Sequence, residues 1–350
     1  MSAQLTLLVF LKDRAEFTKR LCEYLSEIHY PYPVYFADGS LADDNEDYLG
    51  SNRQFSFSYT YKRFSKDLSL SDYYQKCYQA LCDVKTPYVM IADNDDFPIP
   101  EGQSKAIQFL ENNSKFIGCN GQIAGISLSP TASKPYGKNF LFHQYYCQTM
   151  DLPVKLDQAL ATNRIESYLS NFYSIFYSIF RTESLVCTYS LIKDLDFSDL
   201  GIHELFFSYM QLAQGKVHSI DVITYIRQKG SSQTAAVQKD WFHRLFYTNW
   251  LEDSQKAIHT IAEYIAINEK INVTDCYKTL YELFVKRMRD RYIPNDFYLL
   301  KNCCFSKIKN YIFNVLTGKL FSVAPSVTER LTKNMSKQVA NATRVPQRDN

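Results

Sequence analysis

Asp93, Asn94, Asp95 and Asp96 follow directly on the apolar run Tyr88-Val89-Met90-Ile91-Ala92, and Pro98 and Pro100 stop the segment. Carboxylates are hard oxygen ligands. A cluster of them at the mouth of a buried strand therefore suits Mn²⁺ or Mg²⁺ with phosphate oxygens as further ligands. Alternation along an extended segment predicts that Asp93 and Asp95 project to the same side, where both meet one cation. A calcium loop of the EF-hand kind is excluded, because it needs Asp or Asn at its fifth position and Gly at its sixth, where Phe97 and Pro98 stand. An ordinary surface turn rich in Asp and Pro has the same composition, so spacing alone leaves the two readings open.

Other residues have types that fit the same chemistry. Asp38-Gly39-Ser40 ends a second apolar run and reads either as an Asx-turn or as a ligand contact. His203-Glu204 opens a helical pattern in which Glu204, Ser208, Gln211 and Gly215 share a polar stripe opposite Ile202, Leu205, Phe206, Tyr209 and Ala213. That pattern predicts Glu204 on the open side with His203 on its flank, and a carboxylate in a first helical turn is favoured in its charged form. Arg227 and Lys229, just ahead of Gly230, read as a basic loop that either reaches a diphosphate or stays in solvent. Lys76 and Arg181 are weaker candidates, since such residues on helices usually keep their charge in water.

The elements that must position these residues follow from periodicity. Leu5 to Leu11 reads as a first strand, and Asp13-Arg14-Ala15-Glu16 as a capping box ahead of a helix with Phe17, Leu21, Tyr24, Leu25 and Ile28 on one face. Strands are expected over Val34 to Ala37, Phe57 to Tyr61 and Tyr88 to Ala92, with helices over roughly Asp72 to Cys82 and Glu101 to Asn112. Alternating strands and helices imply parallel pairing in a layered α/β domain, which binds ligands at the carboxyl ends of its strands. Further apolar segments run over Phe116 to Leu128 and Phe140 to Cys147, and the tandem Tyr-Ser-Ile-Phe at 173 to 180 is too short to be a repeat architecture. Leu205 to Gln214 reads as a helix stopped by Gly215, and Val217 to Ile223 as a strand. Beyond about Ala235 come two amphipathic helices, Trp241 to Ile267 and Thr274 to Arg291, with no strand between them.

The 350 residues, 46% of them hydrophobic, are enough for a large core and exclude a disordered chain. The net charge of +2 is uneven: residues 301 to 350 carry +7, leaving −5 on the rest. Nine Cys without a C-x-x-C pair or a zinc spacing imply reduced thiols in a cytoplasmic compartment. The short run Leu5 to Leu11, followed by Lys12, Asp13 and Arg14, reads as a strand rather than a signal peptide, and no stretch approaches the roughly 20 apolar residues that span a bilayer. Lys301 to Lys319 mixes Lys with aromatic and aliphatic residues, a pattern shared by a packed helix and by one lying on an anionic membrane surface. Asn334 to Asn350 is polar and expected to be disordered. No nucleic-acid reading module accompanies the basic end, so no nucleic-acid partner is expected.

Taken in order, these pieces resemble the family-two-like glycosyltransferases of the GT-A fold over roughly residues 5 to 230. The matching segments are the opening strand with Asp13 to Glu16, Asp38-Gly39-Ser40, Thr86-Pro87-Tyr88 leading into Asp93-Asn94-Asp95-Asp96, Phe180-Arg181, His203-Glu204 with Gly215, and Arg227 within Tyr225 to Ser232. The resemblance implies a GT-A-like domain over residues 1 to 235, a Rossmann-like mixed sheet flanked by helices. A helical C-terminal subdomain over 236 to 333 and a tail over 334 to 350 would follow it. It implies Asp38 on the nucleotide, and Asp93 and Asp95 as a D-x-D motif holding Mn²⁺ or Mg²⁺ on the diphosphate. It also implies Glu204, with His203 as substitute, as the base on the acceptor hydroxyl, and Arg227 and Lys229 near the donor. The family's Glu-Asp pair is His203-Glu204 here, with His in place of the first acid and Glu in place of the second. The function implied is inverting, metal-dependent transfer from a nucleotide-sugar to a glycan or lipid-linked acceptor, in surface polysaccharide or glycolipid synthesis at the cytoplasmic face of the plasma membrane. Two alternatives stand beside it. Sugar-phosphate nucleotidyl transfer usually needs a Gly-rich phosphate loop, and residues 12 to 20 contain no Gly. A noncatalytic membrane-associated scaffold would keep the fold without the chemistry.

Overall fold

Leu5–Leu11 (β1) and Tyr88–Ala92 (β4) are apolar almost throughout and buried on both faces, as central strands of a parallel sheet must be. In the computed structural model, which describes residues 4–50, 53–128, 142–148, 155–170, 174–229 and 248–292, they lie side by side. Val34–Asp38 (β2) pairs with the other edge of β1, and Tyr59–Arg63 (β3) pairs with β2, all in parallel. The alternating burial of β3 marks it as the half-exposed edge. It begins two residues later than periodicity predicts, because Tyr59 rather than Phe57 is level with Val34.

The sheet then becomes mixed. Ile179–Arg181 (β8) runs antiparallel to β4, Phe116–Leu128 (β6) antiparallel to β8, and Lys216–Lys229 (β9) parallel to β6. The order is β3-β2-β1-β4-β8-β6-β9-β5, where β5 is Phe97–Pro98, and Phe142–Gln148 (β7) pairs with β6. Register shifts near Gly118 and Gln122 interrupt the β6 to β9 ladder, as β-bulges do when they bend a strand. Beyond them β9 pairs Ile226 with Phe97, which places Arg227 beside the acidic turn.

Helices cover the sheet: Ala15–Glu27 (α1), Asp44–Leu49 (α2), Leu70–Asp83 (α3), Pro100–Asn112 (α4), Ala161–Ser170 (α5), Thr182–Leu195 (α6) and Leu200–Gln214 (α7). Ser69 and Asp72 form a reciprocal capping box on α3, and Pro100 opens α4. The capping box expected at Asp13 to Glu16 does not form. Arg14 occupies the cap position without a side-chain bond to the helix's first N–H groups, while the Asp13 carboxylate accepts the Leu41 and Ala42 N–H groups at 2.8 and 3.2 Å. Gly215 ends α7 in an extended conformation rather than a left-handed cap, and a Cβ there would collide with Ile117.

Thr248–Glu269 (α8) and Val273–Tyr292 (α9) follow as two helices without a strand between them. One compact unit extends to Leu283, and a second begins at Phe284 within α9. The boundary expected near 235, residues 241 to 247, the basic segment 301 to 319 and the tail from 334 lie outside the described residues. No helix among the described residues is long and apolar enough to cross a membrane.

Candidate active site

Strand β4 ends at Ala92, and Asp93 to Asp96 form a turn in which the Asp96 N–H donates to the Asp93 carbonyl at 3.4 Å. The turn brings Asp93, Asp95 and Asp96 together, with one carboxylate oxygen from each lying within 4.8 Å of the others. Convergence therefore comes from the turn and not from strand alternation, and it takes in Asp96 as well as the two residues singled out by spacing.

Each carboxylate is held by a different part of the chain. Tyr177 donates its hydroxyl to Asp93 at 2.6 Å, and the Asp93 N–H donates to the Tyr225 hydroxyl at 3.0 Å. Arg14 pairs with Asp95 at 2.7 Å, while Arg20 donates to the Asp95 carbonyl at 2.6 Å and to the Gln228 side chain. The Gln228 N–H donates to Asp96 at 2.8 Å, and Arg227 Nε lies 3.9 Å from the same carboxylate. Asn94 bonds back to the Arg14 carbonyl and the Thr18 hydroxyl, which ties the turn to α1.

Burial, followed by the charge of Asp95, pushes the Asp93 carboxyl above the ordinary range, and burial with Asp93 and Asp95 pushes Asp96 well above it. Burial opposes the charge of Arg227, but Tyr177, Asp96 and Asp93 outweigh it and keep the guanidinium protonated. Asp93 and Asp96, which resist ionising, complete with Asp95 an oxygen donor set whose repulsion a small divalent cation would relieve. The residues present thus fit Mn²⁺ or Mg²⁺.

Asp38 stands across β1 from this turn, opposite Leu11 at the same sheet edge. Its side chain is fully buried. One oxygen accepts the Ser40 N–H and hydroxyl, and the other accepts Tyr61 at 2.8 Å and Arg63 at 2.6 Å. The Asp67 N–H donates to the Gly39 carbonyl at 2.8 Å, and a Cβ at Gly39 would collide with the Asp67 carboxylate, so only glycine fits beneath it. Lys76 is buried, ion-paired to Asp67 and donating to the Leu11 carbonyl at 2.8 Å. Arg181, at the end of β8, donates to the Phe116 and Leu110 carbonyls. Neither of these two cations is held out in solvent as expected; each satisfies carbonyls at the end of a neighbouring element.

Asp199 caps α7 through the Gly201 and Ile202 N–H groups, so the helix begins five residues earlier than its apolar pattern. His203 is buried against the rings of Tyr73, Tyr74, Phe176 and Tyr189, and burial pulls its pKa down to about 4, leaving it neutral. Glu204, the next residue, is exposed. Burial first, and then the charges of Cys77, Tyr74, Asp93 and Glu204, hold the Tyr189 hydroxyl well above its ordinary range. The remaining polar stripe is not open to solvent. Ser208 accepts from Tyr168 and Gln211 donates to Thr188, because α5, α6 and α8 surround α7 and its polar groups are absorbed inside.

Arg227 lies on strand β9 rather than on a loop, its guanidinium 4.8 Å from the centre of the Tyr177 ring. Lys229 is the last residue of β9, paired with Ser127, and its side chain is outside the described residues. Arg14, Tyr177, Tyr225 and Gln228 were not reached from sequence. All four stand within the quoted segments, yet nothing in their spacing points at an aspartate some 80 to 130 residues away in the chain.

No family model and no curated protein matches the sequence. Solved structures do. Residues 1–349 of S. aureus TarS in complex with UDP-GlcNAc align with a TM-score of 0.55 and 14% identity over 89% of this chain and 81% of that one. The complex of the same protein with UDP aligns with a TM-score of 0.51 and 13% identity, over 94% and 83%. At these identities the likeness carries the fold, and the chain has the expected α/β, GT-A-like architecture of a mixed sheet flanked by helices with a helical C-terminal part.

Proposed function

We propose that this chain is a metal-dependent, inverting glycosyltransferase that moves a sugar from a nucleotide-sugar to a hydroxyl acceptor in surface polysaccharide or glycolipid assembly. The observation that carries this reading is the convergence of Asp93, Asp95 and Asp96 at the carboxyl edge of the sheet with Arg227 beside them. The complexes of the TarS fold with UDP-GlcNAc and UDP support a nucleotide-sugar as the donor.

Asp93 and Asp95 would hold Mn²⁺ or Mg²⁺, and the cation would supply positive charge against the departing diphosphate. Arg227 adds fixed positive charge on the β9 side, where stabilisation that increases toward the transition state raises turnover, and Lys229 is the second donor-binding cation that the resemblance implies. Asp38 acts from beneath the nucleotide, through the Ser40 and Tyr61 groups that its oxygens hold. Glu204 accepts the proton of the acceptor hydroxyl as that oxygen attacks the anomeric carbon. The bond from that carbon to the phosphate oxygen breaks, and its electron pair leaves with the diphosphate. His203, buried and neutral, supports the Glu204 turn from inside. A cytoplasmic site at the inner face of the plasma membrane accords with a lipid-linked acceptor.

Incubation with a panel of nucleotide-sugars, Mn²⁺ and an acceptor extract should release nucleoside diphosphate, and EDTA should stop it. Pyrophosphate formed from a sugar phosphate and a nucleoside triphosphate would replace this reading with nucleotidyl transfer. Neither product, with any donor, would leave a noncatalytic scaffold.

A further inference from the structure

Tyr177 touches two charged groups of the candidate site at once. Its hydroxyl donates to Asp93, and its ring carries the Arg227 guanidinium, 4.8 Å from the centroid. The same ring stacks on Tyr225, with centroids 4.6 Å apart and planes 16° from parallel, and the Tyr225 hydroxyl accepts the Asp93 N–H. Tyr225 and Arg227 are two residues apart on β9 and so leave the strand on one side. Tyr177 precedes β8, whose Ile179 is level with Met90 of β4, so the ring is delivered to the turn from a third strand.

The terminal torsion of an Asp side chain is broad, and a hydrogen bond to one oxygen fixes how the carboxylate faces a cation. A guanidinium on a long stem is equally loose until a ring face holds it. Resting on the function proposed above, we infer that Tyr177 is a positioning residue with two separable duties: its hydroxyl sets Asp93 for the cation, and its ring sets Arg227 for the donor's diphosphate.

The duties separate in binding measurements that need no turnover. Mn²⁺ affinity is read by electron paramagnetic resonance without nucleotide, and UDP affinity by calorimetry at saturating Mn²⁺. Tyr177→Phe should weaken Mn²⁺ by about tenfold or more while keeping UDP within about twofold of the unaltered chain. Tyr177→Leu should weaken both, lowering UDP affinity by about fivefold beyond the Phe variant, and Arg227→Met should weaken UDP without weakening Mn²⁺. Thermal melts check that each variant is folded, and Tyr177→Met, similar in bulk, serves if the leucine variant is not. A general structural role would move both affinities together in every variant. Unaltered Mn²⁺ binding by Tyr177→Phe, or equal UDP affinity in the Phe and Leu variants, overturns the inference while the proposed function stands. Failure of the unaltered chain to bind either probe sinks both.

Discussion

Replacing Asp96 by Asn should make the metal-free protein more stable at pH 8 and the Mn²⁺-loaded protein less so, and both signs follow from the crowding at the turn. With oxygens no more than 4.8 Å apart, Asp93 and Asp95 each oppose an ionised Asp96 by ~3.5 kcal/mol or more at an effective dielectric of about 20. Arg227 at 3.9 Å returns ~4 kcal/mol at the same dielectric. Burial disfavours the charged form first and this repulsion, a few kcal/mol beyond what Arg227 returns, adds to it, so the Asp96 carboxyl is held well above the ordinary range. Arg14 and Arg20 lie on the Asp95 side of the turn, and Tyr177 and Tyr225 on the Asp93 side.

A folded-state pKa above the unfolded value gives stability that is complete below the unfolded value, near pH 4, and is lost as pH rises toward the folded value, at ~1.4 kcal/mol per pH unit. Asn never ionises, and its side-chain carbonyl still accepts the Gln228 N–H. In EDTA, urea unfolding followed by circular dichroism should therefore find the two proteins equal near pH 4 and the Asn variant ahead by ~2 kcal/mol at pH 8. Saturating Mn²⁺ reverses the order, since ligand at one hundred times its dissociation constant adds ~2.7 kcal/mol to whichever protein binds it. An Asn variant less stable than the parent at pH 8 in EDTA, or a gap unchanged between pH 4 and pH 8, refutes the electrostatic argument.

Glu204→Gln should cut nucleoside diphosphate release in the presence of acceptor by about a hundredfold or more while Mn²⁺ and UDP affinities hold; a rate within a few fold of the parent removes Glu204 as the base. His203 has its pKa lowered to about 4, so the folded state loses ~3 kcal/mol as pH falls from the unfolded value near 6.5 to about 4. His203→Phe should lose that acid sensitivity in pH-dependent unfolding, and an unchanged slope would contradict the burial argument. Lys76→Met leaves the Asp67 carboxylate buried without its partner and should cost ~3–5 kcal/mol in urea unfolding, much of it recovered in the double variant with Asp67→Leu. No recovery in the double variant would mean that the pair is held for a reason other than mutual charge.

The half of the site on the parallel strands was legible in sequence because period and composition fix it locally. Each of β1, β2 and β4 is a short apolar run, and the first polar residue after each run must emerge at the carboxyl edge, where Asp38 and Asp93 are found. The helical stripe on α7 misled because the polar face of a surface helix is no guide to one enclosed by α5, α6 and α8; Ser208 and Gln211 look like a wet face until the partners that absorb them are known. The Arg227 to Lys229 segment read as loop because its pairing with β6 follows register shifts near Gly118 and Gln122, which no single-strand pattern encodes.

These two halves differ in what holds them, and that difference bears on how the site would work. Asp38 is fixed by four donors from its own neighbourhood, all between Ser40 and Arg63, and so is set once β2 and β3 pair. The acidic turn is set only when Arg14 and Arg20 from the α1 side, Tyr177 ahead of β8, and Tyr225 with Gln228 on β9 all arrive. Groups that come from such separate parts of the chain can balance three crowded carboxylates only in the completed fold. Removing any one of the donors should therefore loosen the turn before it unfolds the sheet, which makes binding of Mn²⁺ a more sensitive reporter of damage at this edge than global stability.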